Sequence, residues 1–408
     1  MNGELRDAFL DELAKTNWQQ PADGLAEQTW DVLIVGAGPA GSTAAAHLAT
    51  RGHRVLLVDE KRFPRAKLCG DGLTNDALRC LGRLGLADRV REMGHRLGKL
   101  SFISGSGVEV RLHGDFLTLD RAVLDAVLAR HAVASGAVFA HGTVEEVSVE
   151  SDGSVVCGVS GCGGQLRARV GVLATGVRLR LAQEIGLVAR ERPSGMAVGC
   201  RLRSSKQLGH HVICCDTSVV PSTRRTRVPG FAWIFLLGKD TYNIGYGVQR
   251  RSAGSDHDTL RECLEQFMTR FPLARELTAD GELVSPVRSS AVRSGLAGAR
   301  PVGAGNVLVV GETLGSTLPF TGAGIGKAME TAEIAASVIH EALHVGDMGV
   351  LRAFPVRLRR RLGRCYRTYR LAEVLFSRGW INDFLVRRAR RSAFLRRVFV
   401  DLLMAGKA

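Results

Sequence analysis

Two groups of residues in this 408-residue chain have types and spacings suited to chemistry. The first lies in "DVLIVGAGPAGSTAAAHLATRGHRVLLVDE", with glycines at 36, 38 and 41 and Asp59 about twenty residues on. Gly36 permits a tight turn, Gly38 lets a pyrophosphate approach the backbone, and Gly41 lets a helix pack close to a strand. A helix over residues 39–50 would offer free N–H groups and a positive dipole end to phosphates. Asp59 can accept hydrogen bonds from a ribose diol, and an acid there fits an unphosphorylated adenosine ribose, hence FAD or NAD. The second group is "FPRAKLCGDGLT", residues 63–74, where the thiol of Cys69 lies between Arg65 and Lys67, cations that could lower its pKa, on one side and the turn Gly70, Asp71, Gly72 on the other.

Strands and helices must hold these groups together. Residues 32–35 and 55–58 are short apolar runs that read as strands flanking the glycine turn. "FLTLDRAVLDAVLARHAVASGA" reads as an amphipathic helix beginning near Asp120, with Arg121 at its start in reach of a phosphate. "VGVLATGVRL" adds a strand ending at Thr175 and Gly176. From Asn306, "NVLVVGETLGSTLPFTGAGIGKAMETAEIAASVI" is a strand, a glycine-rich turn and an alanine-rich helix, a unit suited to the far end of a long cofactor. In "PGFAWIFLLGKDTYNIGYG", from Pro229, the rings of Phe231, Trp233 and Phe235 alternate onto one face of a strand. That face is either the core side of a sheet or the lining of a pocket.

The implied fold class is α/β, a Rossmann-type FAD-binding domain with an antiparallel substrate sheet and a helical C-terminal region. The divisions are a polar, loosely held leader over 1–29, a discontinuous cofactor domain over 30–97, 118–195 and 300–345, a substrate domain over 98–117 and 196–299, and a basic helical region over 346–408. The start carries Glu4, Asp7, Asp11 and Glu12, unlike a secretory signal, and the long apolar runs are broken by glycine, unlike a membrane span. Nine cysteines without zinc-type spacing fit free thiols in a cytoplasm. From residue 351 onward stand fifteen arginines and one lysine against Glu373, Asp383 and Asp401, a local charge of +13, so the remaining chain carries only +2 of the total +15. Such a tail is a solvated face, a contact with an anionic membrane surface that makes the protein peripheral to it, or a contact with an acidic carrier or partner protein. No nucleic-acid module accompanies it.

These stations together resemble the FAD-binding fold of p-hydroxybenzoate hydroxylase and its relatives, and within that superfamily the geranylgeranyl reductase family, from about residue 31 to 339. "FPRAKLCGDGLT" and "PGFAWIFLLGKDTYNIGYG" carry the resemblance beyond a generic flavoprotein. The chain departs from the family pattern at Leu236 for proline, Phe231 for tyrosine, "ATG" for Ala-Asp-Gly at 174–176 and "GET" for Gly-Asp-Ala at 311–313. The resemblance implies FAD, with Gly36, Gly38 and Gly41 at the pyrophosphate, Asp59 at the ribose, Arg121 at a phosphate and Glu312 at the ribityl chain. It implies Pro319, Gly322, Gly324 and Ile325 beside the isoalloxazine, Cys69 to Gly72 over it, and Phe231, Trp233 and Phe235 in the substrate pocket.

For Cys69 three readings stand: a structural turn, a proton donor opposite the hydride, or a redox thiol with Cys80 as its only nearby partner. Trp233 joins it as a candidate catalytic residue. The resemblance implies hydride transfer between flavin and an apolar, lipid-like or carrier-bound substrate, by reduction of a carbon–carbon double bond or its reverse. The alternative is an FAD-dependent hydroxylase; a halogenase is disfavoured because the W-x-W-x-I-P pattern is missing. With no second nucleotide-binding glycine turn, reduction falls to transiently bound NAD(P)H or to a protein donor.

Overall fold

A computed structural model describes residues 2–26, 28–160, 162–215, 230–249, 257–303 and 305–406; Pro229 lies outside them. Along the chain the elements are α1 (Asn2–Lys15), β1 (Gln20–Pro21), β2 (Thr29–Val35), α2 (Pro39–Ala49), β3 (Val55–Asp59), β4 (Gly72–Leu73), α3 (Asn75–Arg83), α4 (Ala87–Met93), β5 (His95–Ile103), β6 (Glu109–Thr118) and α5 (Arg121–Ala134). Then come β7 (Val138–His141), β8 (Val144–Val149), β9 (Val155–Val159), β10 (Gln165–Leu173), α6 (Arg180–Glu184), β11 (Gly195–Arg203), β12 (His211–Cys214), β13 (Gly230–Leu236) and β14 (Thr241–Gln249). The last are α7 (His257–Arg270), α8 (Pro272–Ala279), β15 (Glu282–Leu283), β16 (Arg288–Val292), β17 (Val307–Val309), α9 (Ile325–Val345), α10 (Phe354–Phe376), α11 (Gly379–Arg391) and α12 (Ala393–Leu403).

The first sheet runs β1-β7-β3-β2-β10-β9-β8, with β17 also on β10. Its centre is parallel: β2 pairs with β3 and β10, and β17 with β10. Continuous apolar runs suit that arrangement, because strands covered on both faces have no polar side to show. Val32 to Ile34 and Val55 to Val58 are all buried. The small residues of α2 let it pack closely between α9 and α5.

The second sheet runs β15-β11-β14-β13-β12-β5-β6-β4, with β16 on β11. Its ladders are antiparallel except that β12 lies parallel to β5. One face packs Ile234, Leu236, Tyr242, Ile244 and Tyr246 against Leu260, Leu264 and Phe267 of α7. Through β4, Gly72 and Leu73 belong to this sheet, outside the segments that the sequence pattern allots to it.

Two expectations need correction. The leader is not loosely held. Phe9 and Leu13, one turn apart on α1, are buried, the Arg89 guanidinium lies over the Phe9 ring, and Trp18 packs edge-on against Phe139. Gln19 then clamps Phe63, accepting from its N–H at 2.6 Å and donating to its carbonyl at 2.8 Å. The basic helical region is not set apart from the substrate domain: α11 and α12 pack on β6, and Phe376, Val386, Phe399 and Leu403 share a core with Leu100, Phe102 and Phe116. Among the described residues no helix is long and apolar enough to cross a membrane.

Candidate functional site

A cavity of about 770 Å³ runs between the two sheets. At one end β2 delivers the chain into the glycine turn. Gly36 has φ +101°, and a Cβ there would lie 2.4 Å from the Ala174 carbonyl oxygen. A Cβ on Gly41 would lie 1.8 Å from the Gly36 oxygen, so α2 can approach the turn only as glycine. Gly38 is different: its Cβ would meet nothing nearer than Arg65 Nη2 at 3.6 Å, which leaves open cavity over the start of α2. Asp59 closes β3 and holds the turn, its Oδ2 accepting from Ala37 N–H at 2.7 Å and its Oδ1 from Lys61 N–H at 2.9 Å. Burial pushes its carboxyl pKa up, against the pull of Arg65.

From Asp59 a file of buried charges runs along the cavity wall. Arg65 Nε lies 3.8 Å from Asp59 and its Nη1 3.2 Å from Asp125. Arg121 grips the same Asp125 with two nitrogens, at 2.7 and 2.8 Å, and its positive charge acts on the thiol of Cys69. Arg121 thus lines the cavity with its fork already engaged, while Arg65, given no cofactor role in the sequence reading, stands beside Gly38.

Cys69 sits at the middle of the cavity in a loop held from below by Asn243. The Asn243 amide donates to the Cys69 carbonyl at 2.6 Å and to Asp71 Oδ2 at 2.7 Å, and accepts from Trp233 Nε1 at 2.8 Å. Asp71 is wholly buried at φ +62°, its carboxylate also accepting from the Arg121 N–H and from Arg201. It does not line the cavity: of the four residues placed over the cofactor, Asp71 turns away to bind the loop to the second sheet, and Cys69, Gly70 and Gly72 line it. Burial, opposed chiefly by Arg201, pushes the Asp71 pKa up to about 6. The pKa of Cys69 moves opposite to the lowering that Arg65 and Lys67 suggest. Burial raises it, and the cation that opposes this is Arg121.

At the far end of the nucleotide turn, Thr175 and Gly176 line the cavity. Glu312 accepts from the Arg293 N–H at 3.3 Å, and burial raises its pKa against Lys67 and Arg121. The Arg293 guanidinium is spent on the carbonyls of Val177, Arg190 and Glu191. Pro319, Gly322, Gly324 and Ile325 line the cavity where α9 begins.

Beyond Cys69 the walls become apolar. Phe231, Trp233 and Phe235 all face the cavity. The glycines of "NIGYG" explain how: Gly245 and Gly247 pair across the ladder with Trp233 and Phe231, and a Cβ on Gly245 would lie 2.0 Å from the Trp233 ring. Those rings lie flat on β14, and Gly70 rests against Phe235 and Trp233 at 3.3 and 3.5 Å from its would-be Cβ. Leu100, Phe102, Phe116, Phe376, Leu403 and Met404 complete this end. Asn243 and Arg201 were missed by sequence reasoning, although the first sits in the quoted "NIGYG" segment; Phe376 and Leu403 carry no signal short of the fold.

The FAD binding domain family matches residues 29–354, four fifths of the chain. The chain belongs to this flavoprotein family. Its relatives include the menaquinone reductase of Mycobacterium tuberculosis, 32% identical over 365 residues covering 85% of this chain and 84% of that one. Another is digeranylgeranylglycerophospholipid reductase 1 of Methanothermobacter thermautotrophicus, 28% identical and covering 78% and 79%. Among solved structures, a geranylgeranyl bacteriochlorophyll reductase-like protein of Thermoplasma acidophilum superposes with TM-score 0.77 at 20% identity, covering 92% and 96%. A p-nitrophenol 4-monooxygenase of Pseudomonas putida gives 0.74 at 19%, covering 93% and 100%, a likeness of fold. This is an FAD-dependent oxidoreductase of the geranylgeranyl reductase family.

Proposed function

We propose that this flavoenzyme reduces a carbon–carbon double bond in an apolar, lipid-like or quinone-like substrate. The observation that carries the reading is the change of wall along one cavity, from glycine turns and buried charges to aromatic rings, with the Cys69 thiol at the change. The first part fits FAD. The space above Gly38, the acid at Asp59 and the helix starts of α2 and α9 suit a diphosphate, a ribose and a ring edge in that order. Gly36, Gly38 and Arg65 would hold the pyrophosphate, with Gly41, which does not line the cavity, letting α2 close on the turn; Asp59 would hold the ribose, and Gly176, Glu312, Pro319, Gly322, Gly324 and Ile325 the flavin half. Reduced FAD supplies a hydride.

The chain's residues do the rest. Phe231, Phe235 and Phe116 exclude water from the reacting carbons, and Trp233, its N–H committed to Asn243, shapes the pocket. Cys69 Sγ holds the proton that the second carbon of the double bond needs. The raised pKa keeps it a thiol at neutral pH, and Arg121 is placed to stabilise the thiolate left behind until water returns the proton. Electrons come from NAD(P)H or a protein donor, and the basic tail meets an anionic membrane surface or an acidic carrier.

The test is to reduce the holoenzyme without oxygen and add a short-chain menaquinone or a geranylgeranyl lipid. Flavin reoxidation with a product that keeps two added hydrogens on its isoprenoid chain after the quinone ring is reoxidised in air supports the reading, and Cys69→Ala lowers that rate about 100-fold or more with FAD content intact. Reoxidation only on admitting dioxygen, with one oxygen atom added to the product, overturns it in favour of a hydroxylase.

A further inference from the structure

We propose that the outer faces of α11 and α12 form a docking surface for an anionic lipid bilayer, seating the apolar end of the cavity on the membrane. The proposal rests on the lipid-like substrate inferred above and names where that substrate comes from. Large apolar side chains normally turn inward on terminal helices, yet here four project from adjacent helices: Trp380 is 72% exposed, Phe384 56%, Phe394 73% and Val398 43%. Trp380 and Phe384 are one turn apart on α11, as are Phe394 and Val398 on α12. The opposite sides of both helices, Val386 and Ala389, Phe399 and Leu403, are buried, and both helices pack on β6. Each exposed stripe therefore faces away from the core, on neighbouring helices in contact with each other.

Arginine surrounds these side chains. Arg387, Arg388 and Arg391 continue the exposed side of α11, and Arg397 lies between Phe394 and Val398. None of these four is in an ion pair among the described residues, and the acids in this stretch are Asp383 and Asp401 alone. Aromatic side chains standing singly among unpaired cations suit an interface of acyl chains below and anionic headgroups above. An acidic protein would need the charge but not four separate protruding hydrophobes.

The cavity joins this surface. Phe376 and Ser377 at the end of α10, and Leu403 and Met404 at the end of α12, line it. Ser377 is exposed and stands three residues before Trp380, so a chain leaving the bilayer at the docking face has a short path to the apolar wall. The enzyme need not extract its substrate through water.

Tryptophan fluorescence provides the test, because Trp18, Trp30 and Trp233 are buried at 8%, 4% and 5% exposure and Trp380 is the exposed one. The full-length holoenzyme is mixed with phosphatidylglycerol or phosphatidylcholine vesicles carrying brominated acyl chains. We expect sedimentation with the anionic vesicles, quenching and blue-shift of the emission, and loss of both in Trp380→Phe. Arg388→Glu with Arg391→Glu should weaken vesicle binding about tenfold or more. Trp380→Ala with Phe394→Ala should weaken it too, while FAD content and turnover of a detergent-solubilised substrate stay at the wild-type level. Absence of binding to anionic vesicles, binding unchanged by both pairs, or unquenched emission with an acidic carrier protein bound in its place would overturn the proposal. Turnover in detergent is read separately, so loss of docking leaves the reductase reading standing, and loss of reductase activity leaves docking measurable.

Discussion

The two ends of the cavity are built from different material. The nucleotide end is backbone: glycines at 36, 38 and 41, helix starts, and an Asp59 whose oxygens hold main-chain N–H groups. The apolar end is side chain: rings from β13, leucines and phenylalanines from β5 and β6, and residues from α10 and α12 that reach across the whole chain. Backbone donors recognise what all dinucleotides share and cannot be changed piecemeal. Side-chain walls set the shape of one substrate and can be exchanged without touching the cofactor.

The file Asp59, Arg65, Asp125, Arg121, Cys69 ties the two ends together, and breaking it should hurt both. Asp125 is wholly buried between two guanidinium groups. Asp125→Asn leaves Arg121 without its carboxylate and Arg65 with Asp59 alone, and loss of a partner from a buried pair costs about 3–5 kcal/mol. Thermal unfolding should show that loss, and alkylation of Cys69 at neutral pH should become faster, since Arg121 then lowers the thiol pKa unopposed. Stability and thiol reactivity both unchanged would mean that the file is not one unit. Damage confined to the nucleotide end is next in size. Gly41→Val pushes α2 off the Gly36 carbonyl, and we expect flavin binding about 100-fold weaker, near 3 kcal/mol, read by titration of visible absorbance.

How far the sequence discloses each end follows from the same difference. The glycine turn, its strands and Asp59 lie within residues 29–59, where spacing alone states the geometry, and the strands, α2 and the start of α5 stand where the pattern puts them. The Cys69 loop is only half local. Its sequence announces a turn, but the residue that holds it, Asn243, is 174 positions away, and Arg201, which fixes Asp71, is 130 away. For that reason Asp71 read as a cofactor residue and the thiol as one with a lowered pKa. Net effects of burial cannot be summed from neighbours in sequence. The leader failed for another reason: its polar composition hid Phe9, Leu13 and Trp18 at helical and turn spacing.

A change confined to the apolar end sharpens the contrast. Gly245→Ala puts a methyl into the Trp233 ring, which must lift toward the cavity, while every nucleotide contact is left in place. We expect kcat/KM to fall about 10–100-fold with flavin content and flavin affinity unchanged. A parallel loss of FAD would show that the two ends are not separable at β14.

The smallest effect tests the hinge between the ends through pH. Asp71 has its pKa raised from 3.8 to about 6 in the fold, so between those values the folded protein binds more protons at this site than the unfolded chain. The contribution of Asp71 to stability is therefore fully present below pH 3.8 and declines as pH rises through about 6. Activity should run the other way, because the carboxylate, not the acid, accepts from Asn243, Arg201 and the Arg121 N–H to hold the Cys69 loop. We expect kcat/KM to drop severalfold as pH falls through about 6, and that limb to vanish in Asp71→Asn. The stability difference between wild type and Asp71→Asn should shrink over the same window as pH rises. If both quantities moved in the same direction, Asp71 would be a simple stabilising ion pair, and the loop over the cavity would owe its position to its glycines and the rings beneath them.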